Sequence, residues 1–387
     1  MVSQAKIKSW VIQFLQDQKY EDYQIEFNGK PDKDTGYMSD IIFLTVKCTH
    51  SNEEKFLHVV LKHDFNQQRE TVKNAFIIET LIYHTVLPTF RTFELRKNVE
   101  DVFDSAPKYF YSLNDKNAQV ILIENVTNKG YRMHDRRKAF DMDHCKLILR
   151  EYGKLHAISF AFRDQHPEEF KDLCKRFPDI HAIFAAQNDM QEYVKSRIEE
   201  MANVLKMTGD VELSVRLEAE LEDAFKIEDK EIRAVDGQDV ICHGDNWNNN
   251  YMFKYSLDDG RETPNSVMLL DWQLSGVRSP AHDLSNFLFL TCSQKELDQL
   301  EDLLHIYHDA LTDRLKLLGS STNLFTFDDL KRHWKGNSTF GLLGMVIDLN
   351  IAVKEDKNSD VMETPEILFY QRAKAAISTY FKYQEIF

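Results

Sequence analysis

The feature that most limits how this chain can fold is a change of hydrophobic period near residue 127. Before it, apolar and β-branched residues fall in short alternating or clustered runs. "DYQIEFNG", "MSDIIFLTVKC", "KFLHVVLKHD", "PKYFYSL" and "AQVILIENV" all read as strands. One segment breaks the pattern. "RETVKNAFIIETLIYHTVLPTF" carries Phe76, Ile77, Leu81 and Val86 on a broad apolar face at helical spacing and is expected to stop near Pro88. A leading helix carries Trp10, Val11, Phe14 and Leu15. The expectation is a five-stranded antiparallel sheet over about 20–127, with one helix inserted after the third strand.

Beyond that point helices dominate. "KAFDMDHCKLILREYGKLHAISFAFRDQ" is a long amphipathic helix, and helical periodicity continues to about 230 and again from about 281 to the end. The segment "NVTNKGYRMHDRRK" is a short link. The fold class expected is α+β with two lobes, 1–127 and 128–387, the second mostly helical.

The chain has 387 residues and a net charge of −15, which argues against a general nucleic-acid or anionic-membrane binder. Five scattered cysteines show no zinc or CxxC spacing and read as reduced thiols. No apolar run approaches the roughly 18 residues of a membrane span. The expected location is the cytoplasm.

Chemistry concentrates in "VICHGDNWNNNYMF", residues 240–253. Three consecutive asparagines between two strand-like segments suit neither helix nor strand. Asp245 follows the strand "DVIC", Asn250 comes five residues later, and a second apolar strand, "VMLL", ends at Asp271. Two carboxylates and an amide oxygen at neighbouring strand tips suit a hard cation such as magnesium beside phosphate oxygens. Phosphoryl transfer needs that set: an Asp to receive the proton of the attacking hydroxyl, and an Asn and a second Asp to hold metal on ATP. Taken alone, an Asp…Asn pair in an asparagine-rich loop is only a turn.

The same chemistry requires a strand lysine for the nucleotide phosphates and a helix carboxylate to hold it. Lys62 in "HVVLKHD" and Glu79 in "AFIIETLIY" stand in that order. Alone, Lys62 also reads as a surface lysine at a strand end and Glu79 as a solvated helix position. The ordered set favours an ion pair. The segment 28–39, with Gly29, Gly36 and Ser39, lies where a phosphate-covering hairpin belongs, although a plain turn fits equally. The backbone near Glu124 to Val126, in "VILIENV", is expected to hydrogen-bond adenine.

At this level of detail the chain resembles the ecdysteroid-kinase-like (CHK kinase-like) family, distant relatives of choline kinases and aminoglycoside phosphotransferases with the protein-kinase-like fold. "HGDNWNNNYMFKY" and "LLDWQLSGVRSPAHDLSNFLF" carry the resemblance, supported by "AFIIETLIYHTVLPTF" and "YGKLHAISFAF". It implies Asp245 as catalytic base, Asn250 and Asp271 as magnesium ligands, and Lys62 with Glu79 as the phosphate anchor. Asp283 would be a structural or loop-anchoring carboxylate, with a helix N-cap as its local alternative. Asn246 stands where the family usually has an apolar residue, and Trp272 where it usually has Phe. The implied activity is ATP-dependent phosphorylation of a hydroxyl on a small molecule, with ecdysteroids one substrate class and detoxification a proposed role. The alternative is a silent member that binds a hormone or xenobiotic. HRD, DFG and APE segments are lacking, which disfavours a protein kinase. The basic cluster "YRMHDRRK" reads as an exposed helix start, and Trp334, Phe340 and Tyr370 read as core.

Overall fold

The computed structural model describes residues 2–30, 39–64, 70–115, 118–222, 237–258 and 260–387. Helix α1 (Gln4–Asp17) is capped by Ser3, whose side chain accepts from the Lys6 amide. Strands β1 (Glu21–Gly29), β2 (Asp40–His50), β3 (Glu53–Asp64), β4 (Tyr109–Asp115) and β5 (Ala118–Glu124) form one antiparallel sheet in the order β1-β2-β3-β5-β4.

Both faces of that sheet are covered. Trp10, Val11, Phe14 and Leu15 of α1 pack on Leu44, Val46, Leu61 and Leu122. Helix α2 (Glu70–Leu81) covers the opposite face, where Phe76 joins Ile121 and Ile123 in the main core. Lys62 pairs with Ile121, and Leu61 with Leu122. Paired residues share a face, so this register turns Lys62 toward α2, and a slip of one residue would turn it toward α1.

The helix expected to stop near Pro88 does not stop there. Residues Ile82–Val86 form a π-helical turn, and α3 (Leu87–Arg96) carries on with Pro88 in its first turn. Proline lacks an N–H and crowds the preceding turn; a widened turn followed by a fresh first turn removes the need for that donor.

In the second lobe, Asp141 caps α4 (Met142–Gln165) by accepting from the amides of Asp143 and His144. Next come α5 (Pro167–Cys174), α6 (Ile180–Ala185), α7 (Asn188–Met207) and α8 (Val211–Leu221). Two small antiparallel sheets follow: β7 (Val240–Cys242) with β10 (Gly276–Arg278), and β6 (Arg132–Met133) with β8 (Tyr251–Asp258) and β9 (Arg261–Leu269). The remaining helices are α9 (Pro280–Thr291), α10 (Gln294–Leu297), α11 (Leu300–Leu317), α12 (Phe327–Asn337), α13 (Thr339–Val353) and α14 (Pro365–Ile386). Gly153 lets α4 meet α11 closely, since a Cβ there would lie 2.7 Å from the Tyr307 carbonyl oxygen. Among the described residues no single helix is long and apolar enough to cross a membrane; one pair bent by 53°, Thr322–Asn337 with Thr339–Val353, passes on length and composition only.

The basic cluster at 131–138 is not a helix start. Arg136 donates to the Glu355 carbonyl at 3.3 Å, and Arg137 donates to the Val361 carbonyl at 3.2 Å and to that of Glu363. Its arginines tie down the segment before α14. All five cysteines are free, as expected. Trp334 is fully buried, and the Tyr370 hydroxyl donates to Asp210 at 2.7 Å.

Candidate active site

The loop between β7 and β8 is built on Asp283, in the first turn of α9. Its Oδ2 accepts from the His243 amide at 2.7 Å and lies 3.1 Å from His156 Nε2. Its Oδ1 accepts from the Gly244 amide at 2.8 Å and from Asn246 Nδ2 at 2.7 Å. Ser279, not Asp283, caps α9, so the loop-anchoring alternative holds. Burial alone would raise this carboxyl, but its bonds with His156, His243 and Gly244 hold it far below the usual range. Cys242 and His156 approach Asp283 closely enough to suggest a metal site. His156 is engaged by Asp283 and the Tyr307 hydroxyl, the Cys242 thiol donates to the carbonyls of Arg278 and Ser279, and burial pushes that thiol up, away from the thiolate a metal would need.

The loop is packed as tightly as it is bonded. Gly244 has φ +86°, and a Cβ there would fall 2.1 Å from the Leu274 carbonyl oxygen. Gly244→Ala is therefore expected to cost at least about 3 kcal/mol, from left-handed strain plus backbone displacement. Urea unfolding would read this, and a loss under about 1 kcal/mol would contradict it. His243 Nε2 lies 2.9 Å from the Leu270 carbonyl, while Nδ1 accepts from the Asp245 amide at 3.3 Å. Burial lowers its pKa; the partners fit a neutral ring protonated at Nε2.

On this platform Asn250 Nδ2 donates to the Asp245 carbonyl at 2.9 Å and to Asp245 Oδ2 at 2.8 Å. That leaves the Asn250 amide oxygen as the face free to serve a cation. Asp271, past the end of β9, adopts φ 63° and ψ 68°. Such a conformation in a residue with a side chain stores strain and marks functional positions. It aims Oδ1 at Lys62 Nζ, 2.9 Å away.

The same Nζ donates to Glu79 Oε1 at 2.9 Å and Oε2 at 2.8 Å. Both alternatives to the ion pair fail, since Lys62 is 4% exposed and Glu79 is fully buried. Burial works to lower the Lys62 pKa, but Asp271 and Glu79 together raise it. Burial pushes Glu79 up, and Lys62 pulls it back. For Asp245, burial followed by the charges of Asp271 and then Asp348 lifts the carboxyl well above its ordinary value, against Asn250 and Lys62. The carboxyls at 245 and 271 and the amine at 62 thus share one cleft.

Of the remaining expected residues, Glu124 ends β5 and Val126 opens the 3-10 turn that follows. The Glu124 amide donates to the Lys108 carbonyl at 2.8 Å and the Asn125 amide to the His58 carbonyl at 2.9 Å, fixing the connector. Beneath it Val126, Tyr131, Met252 and Met268 form a small apolar cluster. Ser39 sits immediately before β2. Of the hairpin at 28–39, residues 31–38, Gly36 among them, lie outside the described residues.

Sequence reading missed several parts. His156 and Tyr152 come from α4, and Tyr152 OH meets Asn246 Oδ1 and, at 2.9 Å, Tyr251 OH. Asn246 replaces an apolar residue because it has those partners and Asp283. The Trp272 ring lies tilted against His243, with 4.5 Å between centroids. No spacing in the sequence announces contacts across some ninety positions.

A lysine above, held by a glutamate, and carboxylates below, carried on a polar loop, meet across the junction of a five-stranded sheet and a helical lobe. That arrangement belongs to the protein-kinase-like class of phosphotransferase folds. Within it, residues 33–320 match the model of the ecdysteroid kinase-like family, and the chain belongs to that family. No curated protein matches it by sequence. Among solved structures it is similar to an ethanolamine kinase of Plasmodium vivax, at 13% identity and TM-score 0.43, over 92% of this chain and 81% of the other. It is also similar to a Haemophilus somnus protein described as a fructosamine-3-kinase, at 11% identity and TM-score 0.34, over 95% and 96%.

Proposed function

We propose that this chain is an ATP-dependent small-molecule kinase that transfers the γ-phosphoryl group to a hydroxyl of a small organic acceptor. An ecdysteroid or a hydroxylated xenobiotic fits the family's name and the family reading. The observation that carries the proposal is Lys62 bridging Glu79 of the first lobe and Asp271 of the second, with Asp245 and Asn250 alongside.

The donor set fits magnesium. The Asn250 amide oxygen and the Asp271 carboxylate are hard oxygen ligands with room for phosphate oxygens between them. When bound, the ion would neutralise charge on the transferring group. Glu79 holds Lys62 toward the α- and β-phosphates. The backbone of Glu124 and Val126 hydrogen-bonds the adenine edge, above the apolar floor of Met252 and Met268. Ser39 serves the phosphates. Asp245 orients the acceptor hydroxyl and takes its proton as the O–P bond forms. The lobe boundary falls at 127/128, and the protein acts in the cytoplasm without a nucleic-acid or membrane partner.

A thermal-shift measurement tests the nucleotide half. With magnesium–ATP at about 100 times its Kd, stabilisation of about 2.7 kcal/mol is expected, and EDTA should abolish it. No shift would favour a silent member that binds a hormone or xenobiotic without ATP. ATP consumption against hydroxylated steroids, choline-like amines and plant phenolics tests the acceptor half.

A further inference from the structure

One carboxylate whose charge reaches the site has no place in that machinery. Asp348 lies on α13, and its carboxylate has no hydrogen-bond or ion-pair partner among the described residues. Its charge is felt by Asp245 on one side and by the Tyr193 phenol of α7 on the other. Gly341, Gly344 and Asp348 follow one another at helical spacing, so they form a single stripe on α13. The first two fix where that stripe lies. A Cβ at Gly341 would sit 2.3 Å from the Ser285 backbone, and one at Gly344 would sit 2.2 Å from Asn286 Nδ2. Asn286 in turn accepts from the Asn246 amide at 3.2 Å, next to the proposed base. The glycines thus bring α13 against α9 and, through Asn286, against the catalytic loop, and Asp348 follows one turn further along the same stripe, its charge reaching Asp245. Tyr193 is 40% exposed and has Arg197 over its ring at 5.4 Å.

We infer that Asp348 reads the acceptor: it accepts a hydrogen bond from a second donor group, a hydroxyl or an ammonium, carried close to the hydroxyl that Asp245 deprotonates. The substrate class is then a diol or amino alcohol rather than a simple monohydric alcohol. The inference rests on the kinase reading above and deepens it. A half-buried carboxylate left without a donor is costly, and burial pushes Asp348 up to about 7. A bound donor group removes that cost. An acceptor lacking one leaves it in place, which is how a site selects against the missing group.

The test compares wild type with Asp348→Asn on three matched probes: a polyhydroxylated steroid, its monohydroxylated analogue and an amino alcohol of similar size. Wild type should prefer a probe with two donors. The variant should keep its magnesium–ATP thermal shift and lose roughly 10–100-fold of that preference in kcat/KM, mainly through KM. Which two-donor probe suffers the loss tells hydroxyl from ammonium. Equal preference in wild type, or an unchanged ratio in the variant, overturns the inference while leaving the kinase intact. No turnover of any probe and no nucleotide shift overturns the kinase reading, and this one with it.

Discussion

Asp245→Asn should fold, bind magnesium–ATP and lose roughly 10²–10⁴-fold in kcat, the usual contribution of a positioned general base. The substitution keeps the shape of the side chain and its neighbour Asn250, but the amide cannot accept the hydroxyl proton. The pH profile gives the sharper reading. Burial and the charges of Asp271 and Asp348 lift the Asp245 carboxyl above the ordinary range. A base works only when deprotonated, so wild-type kcat/KM should rise with pH through that elevated value and then level off. The residual activity of Asp245→Asn should lack this acid limb. Near-normal turnover, or an unchanged limb, would remove Asp245 from the role.

Asp283→Ala should be the most destabilising single change in the lobe, by about 3–5 kcal/mol, because it strands several buried donors at once. The His243 and Gly244 amides and the Asn246 side chain all lose their acceptor. The effect has a defined pH window. The folded carboxyl is held below its unfolded value of about 3.9. Its contribution is therefore fully present above about pH 5 and disappears as pH falls through the folded pKa. The gap between wild type and variant in urea unfolding should be constant from pH 7 to 5 and narrow below about pH 4. A difference under about 1 kcal/mol at pH 7 would mean that the loop does not depend on this anchor.

Much of the site was legible because phosphoryl transfer needs few residue types in a fixed order. Lys62, Glu79, Asp245, Asn250 and Asp271 each sit at the tip of an apolar strand or inside an apolar helix, where a charge is conspicuous. The sheet was legible for the same reason: period-2 runs separated by polar turns leave few alternatives. The errors came where local pattern met tertiary context. Pro88 is a stop signal by propensity, yet the chain continues because a π turn absorbs the missing donor. The arginines at 136 and 137 look like surface charge in sequence, yet carbonyls from beyond residue 350 take them up.

The sequence alone determined which groups can do chemistry and on which elements they ride, since hydrophobic period and residue type are local properties of the chain. Only the tertiary structure decided that Lys62 touches both Glu79 and Asp271, that His156 supports a loop far downstream, and that the charge of Asp348 reaches Asp245. Those relations depend on strand register and on how closely helices approach at Gly341 and Gly344. They are set by packing among residues tens to hundreds of positions apart, which no local pattern encodes.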